Sequence, residues 1–143
     1  MTAYRRYALD ASVLVELLAG SPVARRLAEG LVEGSVEAYA ARLSLTEAFY
    51  VVCRLWGRER AEERVNLLLE SGVVEIVEDE KLWEYAGDCK CRIPIALGDC
   101  YTLATAKLYA AKPLFLRPER EIVENLERVR AWLGDTPEFL TGG

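Results

Sequence analysis

The chain has 143 residues, 52% of them apolar and 29% charged, with a formal net charge of −5. This is the length of one domain with enough apolar mass to fold unaided, so a disordered chain is excluded. The acidic balance also excludes a nucleic-acid coat that works by bulk positive charge, though not a nuclease in which metal ions meet the phosphate.

No apolar run approaches the ~20 residues of a membrane span. Arg5 and Arg6 are followed by no signal-peptide h-region, so the reading is cytoplasmic with no membrane partner. Histidine is absent, which removes Ser-His-Asp triads, His-ligated zinc and imidazole acid–base chemistry. Glutamine is absent too, asparagine occurs only at 66 and 125, and Glu and Arg are abundant. That depletion of labile side chains is a thermophile's pattern. The cysteines are Cys53, Cys89, Cys91 and Cys100. Cys89-Lys90-Cys91 lacks zinc spacing. Cys53 and Cys100 lie in apolar helical runs, where cysteine acts as a small hydrophobe. A disulfide is the alternative if the source is a hyperthermophile.

In chain order, residues 6–9 read as a short buried strand ending at Asp10, and 12–18 as a helix stopped by Gly20. Ser21-Pro22 opens a second helix closed by Gly34, with proline at a first-turn position. Residues 36–40 read as a second strand. Ser44 and Glu47 have the spacing of a capping box at the head of an apolar helix ended by Gly57. Residues 58–71 form a charged amphipathic helix, 73–77 a third strand and 79–90 a further helix. The connector 93–98 stays extended before its proline. Asp99 opens an apolar, small-residue helix, 113–116 is a fourth strand, 119–128 a charged helix and 129–133 a last edge strand. The domain spans 1–134, and 135–143 is a flexible C-terminal tail.

Strands alternating with helices imply a parallel sheet with right-handed crossovers and helices on both faces. Ligand sites of such sheets form outside the strands' carboxyl ends. Asp10, Glu47 and Asp99 all fall at element starts that converge on that edge. Each has a plainer role as well. Asp10 and Ser12 suit a helix cap, Glu47 suits the capping box, and Asp99 suits the positive end of a helix dipole.

Three segments, Leu9-Asp10-Ala11-Ser12-Val13-Leu14-Val15, Leu45-Thr46-Glu47-Ala48-Phe49-Tyr50-Val51 and 95–104 around Gly98-Asp99-Cys100, resemble the PIN-domain family, and within it the small VapC-like toxins. With Pro113-Leu114-Phe115-Leu116 they follow the family's order and spacing over nearly the whole chain. The resemblance implies an α/β three-layer sandwich, with a central, mainly parallel sheet of four to five strands. It also implies a metal-dependent ribonuclease, the toxin of a toxin–antitoxin pair, with a cognate antitoxin protein as partner and a homodimer as its assembly.

Carried over by position, the family's acids fall on Asp10, Glu47 and Asp99, with Glu119 fourth and Glu121 as runner-up. The family's hydroxyl after the fourth strand is replaced here by Leu116. These acids would be both the catalytic residues and the ligands of Mg2+ or Mn2+, hard ions that prefer oxygen. Ser12 would orient Asp10 or a bound water. Arg42, Lys90, Arg92, Arg117 and Arg120 are candidate phosphate contacts.

Two other readings stand beside this one. A phospho-acceptor receiver module would need adjacent acids after the first strand and a lysine after the last; Ala11 and Arg117 stand there instead. A catalytically weakened PIN domain acting as a protein-interaction module fits the altered fourth-acid segment. Tyr50, Leu55 and Trp56 on one helix would then supply an apolar contact surface, or else be core.

Overall fold

The computed structural model describes residues 5–78 and 80–142. The first strand, β1 (Arg5–Leu9), runs from two exposed arginines into buried Tyr7, Ala8 and Leu9. It leads directly into α1 (Ala11–Ala19), which stops at left-handed Gly20. A short 3-10 turn, Pro22–Ala24, leads into α2 (Arg25–Glu33). Next come β2 (Val36–Ala41), α3 (Arg42–Trp56), α4 (Arg58–Ser71) and β3 (Val74–Val77). The second half comprises α5 (Leu82–Arg92), α6 (Leu97–Leu108), β4 (Lys112–Phe115), α7 (Arg120–Glu124), α8 (Leu126–Leu133) and β5 (Glu138–Phe139).

The five strands form one sheet in the order β3-β2-β1-β4-β5, parallel throughout. Strand periodicity splits its side chains between two cores. Tyr7, Leu9, Ala38, Ala40, Val74 and Leu114 join residues of α1 to α4 on one face. On the other, Ala8, Tyr39, Ala41 and Val77 meet α5 and α6. Phe115 continues that layer with Cys100, Leu103, Ile122 and Val129. Small residues on both sides, Ala8 and Ala41 against Ala104 and Ala106, let α6 lie close over the middle of the sheet. This is the expected α/β sandwich. Among the described residues no helix is long and apolar enough to cross a membrane.

The structure corrects several local expectations. Residues 129–133 are not an edge strand but the end of α8. Apolar Val129, Ala131 and Leu133 alternate along this stretch, which is also compatible with a strand's period of two. In the fold Val129, Trp132 and Leu133, at helical spacing, pack inward, and Ala131 is exposed. The edge strand comes from the segment expected as a flexible tail. Glu138 and Phe139 pair with Leu114 and Phe115. Leu140 and Thr141 N–H groups donate to the Phe115 and Leu116 carbonyls at 2.8 Å each, and the Phe115 and Phe139 rings meet at 6.3 Å.

The helix expected over 119–128 is interrupted at Asn125. The Asn125 side-chain amide donates to the Glu121 carbonyl at 2.9 Å and accepts from Arg128 at 2.9 Å. An asparagine that bonds backbone locally competes with helix continuation. The expected start of α5 at Asp79 lies outside the described residues, as do residues 1–4 and 143.

Candidate functional site

Because the sheet is parallel, every strand delivers its carboxyl end to one edge. At that edge β1 hands over to Asp10, which is 8% exposed and caps α1. Ser12 donates twice to Asp10 Oδ2, from its backbone N–H at 3.1 Å and its hydroxyl at 2.7 Å. The Ser12 hydroxyl in turn accepts from the Leu116 N–H at 3.1 Å, tying the end of β4 to the same carboxylate. Oδ1 accepts from the buried Thr102 hydroxyl at 3.0 Å. Asp10 rather than Ser12 is therefore the cap, and Ser12, inside the helix, orients its carboxylate. Three donors fix the Asp10 carboxylate while its position stays at the strand end.

The second acid reaches the edge because the expected capping box does not form. β2 passes into α3 with no loop, so α3 begins at Arg42, two residues ahead of Ser44. Its N-cap is Ala41, with no side-chain cap bond. Ser44 lies within the helix, fully buried, and its Oγ has no hydrogen-bond partner among the described residues. Glu47 is thereby released from its own helix end. Its carboxylate packs against Gly98 in the first turn of α6. A Cβ at 98 would stand 2.5 Å from Oε1 and 3.0 Å from Oε2. Only glycine leaves that space. Burial, then the charge of Asp10, raises the Glu47 carboxyl above its usual range.

Asp99 follows one residue later on α6, which begins at Leu97 rather than at Asp99 itself. Thr102 lies three residues on, the spacing that puts it on Asp99's face. The Asp99 carboxyl is pushed up to about 7. Burial is the main cause, and the charges of Asp10, Glu119, Glu121 and Glu47 follow in that order. Glu119 and Glu121 are exposed. Glu119 sits at the N-cap of α7 without capping it, and so keeps its carboxylate available.

The edge thus collects Asp10, Glu47 and Asp99, with Glu119 and Glu121 within electrostatic reach of Asp99. Among the described residues no three His, Cys, Asp or Glu already stand close enough to enclose an ion. Carboxylates crowded without a cation repel one another. The donor set fits a hard divalent ion: it is all carboxylate, and burial and mutual charge hold protons on acids that a cation would release. A model matching residues 7–117 is that of the PIN domain. The chain belongs to the PIN-domain family. PIN domains are generally nucleases.

Two solved structures show the same fold as this PIN domain. VapBC2 from Rickettsia felis, bound to a DNA fragment from its promoter, is 17% identical with a TM-score of 0.63, over 86% of this chain and 92% of that one. A toxin–antitoxin complex from Klebsiella pneumoniae is 15% identical with a TM-score of 0.58, over 82% and 89%. A search of curated proteins finds no match.

Thr102 and Gly98 are the site residues that sequence reasoning gave no role. Helical spacing from Asp99 points to Thr102, whereas nothing local announces Glu47 against Gly98. Among the candidate phosphate contacts of this PIN domain, Arg42 pairs with Glu78, Arg92 with Asp88 and Arg120 with Glu124. Lys90 donates to the Ile95 carbonyl. Among the described residues, Arg117 makes no ion pair.

Proposed function

We propose that this PIN domain is an Mg2+- or Mn2+-dependent ribonuclease that hydrolyses RNA phosphodiester bonds, and that it is the toxin of a toxin–antitoxin pair, acting in the cytoplasm. The observation that carries the reading is the convergence of Asp10, Glu47 and Asp99, from three separate elements, on the carboxyl edge of the sheet. An acidic pocket repels a phosphodiester, so the substrate needs a cation between it and these side chains. A divalent ion bound there would supply charge neutralisation, activation of water and stabilisation of the leaving oxygen.

Asp10 and Asp99 would hold the ion, and Glu47 and Glu119 would complete its surroundings directly or through water. Ser12 and Thr102 keep the Asp10 carboxylate in one orientation. In the hydrolysis, water oxygen bonds to phosphorus, the bond from phosphorus to the ribose oxygen breaks, and the leaving oxygen takes up a proton.

Exposed Tyr50, Leu55 and Trp56 on α3, of which Leu55 is 66% exposed, support a protein contact as well. A second copy in a homodimer, or the antitoxin, would cover them. The same surface supports the reading in which a weakened PIN domain serves mainly as an interaction module.

The test is cleavage of a labelled RNA by purified protein. Cleavage is expected with Mn2+ or Mg2+, none with chelator, and a loss of at least about 100-fold in Asp10→Asn and in Asp99→Asn. Metal-dependent cleavage unchanged in both variants would remove the site from the reaction.

A further inference from the structure

The chain is acidic overall, yet one side gathers positive charge. Two concavities line the side of the molecule where α5, α6 and α8 meet. One, of about 480 Å³, lies between Arg92, Arg128, Lys107 and Trp132, with Asp88 on its wall. The other, of about 560 Å³, continues from Lys107 to Arg6 and Lys112 at the amino edge of the sheet, with Asp135 on its wall. Lys107 lines both, so the two concavities adjoin at this residue, and they are described together as a groove.

The position of the groove follows from α6. Near the start of this helix Thr102 touches Asp10, at the carboxyl edge. Just past its end the Tyr109 carbonyl accepts from Arg6, at the amino edge. From Asp99 to Lys107 is eight residues of helix, roughly 12 Å. Of α6 itself, Ala106 and Lys107 in the last turn line the concavities, so they lie toward the end of the helix remote from Asp99.

Its charges are cancelled only in part, and Asp88 lies within electrostatic reach of Lys107 as well as of Arg92. Lys107 donates to the Trp132 carbonyl at 2.7 Å and lies 4.2 Å from the centre of the Trp132 ring. Among the described residues Arg128 bonds the Asn125 side chain alone. Neither is ion-paired among the described residues. Arg92, Lys112 and Arg6 do have acid partners, in Asp88, Asp135 and Glu37. The two concavities are lined by five cations and by two acids, Asp88 and Asp135, on a chain whose formal charge is −5. Trp132 holds Asp88 from the other direction, its indole N–H donating at 2.8 Å.

We propose that this groove binds the phosphate backbone of single-stranded RNA, with Arg128 and Lys107 as its principal contacts. This rests on the ribonuclease reading for the direction of the strand, since the groove would carry RNA to or from the acids. Cations without acid partners suit a flexible strand, whose phosphates seek charge. Such contacts give affinity without base specificity.

The test is fluorescence anisotropy with a labelled 12-nucleotide oligouridine in EDTA, so that binding is read without cleavage. Arg128→Gln with Lys107→Gln is expected to weaken binding about tenfold and to reduce the slope of log affinity against log salt by about 1.4, or ~0.7 per lost phosphate contact. Lys107→Arg should restore its share, and Arg54→Gln, on the distant α3, should change nothing. Exposed Arg128→Gln alone should give a smaller loss in the same direction, which covers a folding defect caused by altering Lys107.

Binding and salt slope unchanged in these variants overturns the proposal, as does an absence of RNA binding in the parent protein. Poly-glutamate binding as tightly as RNA with the same dependence on Arg128 would assign the groove to an acidic protein segment instead. Because the measurement excludes metal, a protein that binds RNA here but never cleaves it would sink the ribonuclease reading and leave the groove standing. Cleavage with no dependence on the groove would do the reverse.

Discussion

Replacing Asp99 by asparagine should make the metal-free protein more stable at alkaline pH. In the fold the Asp99 carboxyl is pushed up to about 7 from 3.8, because it is half-buried and faces Asp10, Glu119, Glu121 and Glu47. An unfolded chain releases this proton near pH 3.8 and the folded chain near 7. Between those values the native state holds the extra proton, so the contribution of Asp99 to stability falls as pH rises and is fully lost above about 7. Ionising it in place corresponds to roughly 4 kcal/mol at 1.36 kcal/mol per pKa unit. Relaxation and water entry return part of this, so Asp99→Asn, nearly isosteric and uncharged, is expected to gain about 1–3 kcal/mol at pH 8 and close to nothing at pH 4. Urea unfolding in EDTA at pH 4, 5.5 and 8 reads the difference directly. Adding Mn2+ should reverse the order at pH 8, since the ion stabilises the parent by mass action and the variant much less. An asparagine variant that is less stable than the parent at pH 8 without metal, or a difference independent of pH, refutes the crowded-acid account.

The remaining predictions separate positioning from stability. Gly98→Ala gains helix propensity, about 1 kcal/mol, but its methyl would displace the Glu47 carboxylate; melting temperature should hold within a few degrees while cleavage falls at least about tenfold, and undiminished cleavage would show that Glu47 need not sit there. Thr102→Val removes the donor to Asp10 Oδ1 at nearly constant volume, with an expected loss of about 1–3 kcal/mol in denaturant unfolding, and Thr102→Ser should recover most of it. Truncation after Gly134 removes β5 and uncovers Phe115, so a drop of about 5–10 °C in melting temperature is expected from a burial of about 2 kcal/mol; an unchanged melting curve would mean the segment is ornamental. Ser44→Ala should be neutral or stabilising by up to about 1 kcal/mol, because it removes a buried hydroxyl that has no partner. Were Ser44 a helix cap, the same change would cost about 0.5–2 kcal/mol.

Most of the fold was legible because its elements follow their periods. The first four strands and the helices between them fall within a few residues of where apolar spacing and the glycine stops put them. What failed were positions where two local patterns compete and long-range packing decides. At 129–133 an alternating pattern coincides with a helical one, and contact with Cys100, Leu103 and Ile122 selects the helix. At 138–139 the strand is too short to carry a period, and exists because β4 offers an open edge. Among the candidate acids, Asp10 stood out by its place at the end of the first strand and Asp99 as an acid at the head of an apolar helix. The place of Glu119 rests on a loop whose path no local spacing sets, and its exposure beside Glu121 leaves two acids serving the same end of Asp99's field.

Glu47 shows how a local rule and a site can exclude each other. In a capping box this carboxylate would bond back to the amide of residue 44 and be consumed by its own helix. The chain avoids that outcome by giving β2 no loop after it. The last residue of the strand, Ala41, becomes the cap, the helix gains two residues at its head, and Ser44 turns inward. Glu47 moves from the third helical position to the sixth, beyond reach of any unpaired amide in the first turn. Its nearest space is then the hollow over Gly98, beside the charge of Asp10. The helix forgoes a side-chain cap and buries an unpartnered hydroxyl, and both costs fall where an acid is delivered to the sheet edge. Local consistency is broken at the residues that a function would require, and this is an argument for the acid site that does not depend on resemblance to any other protein.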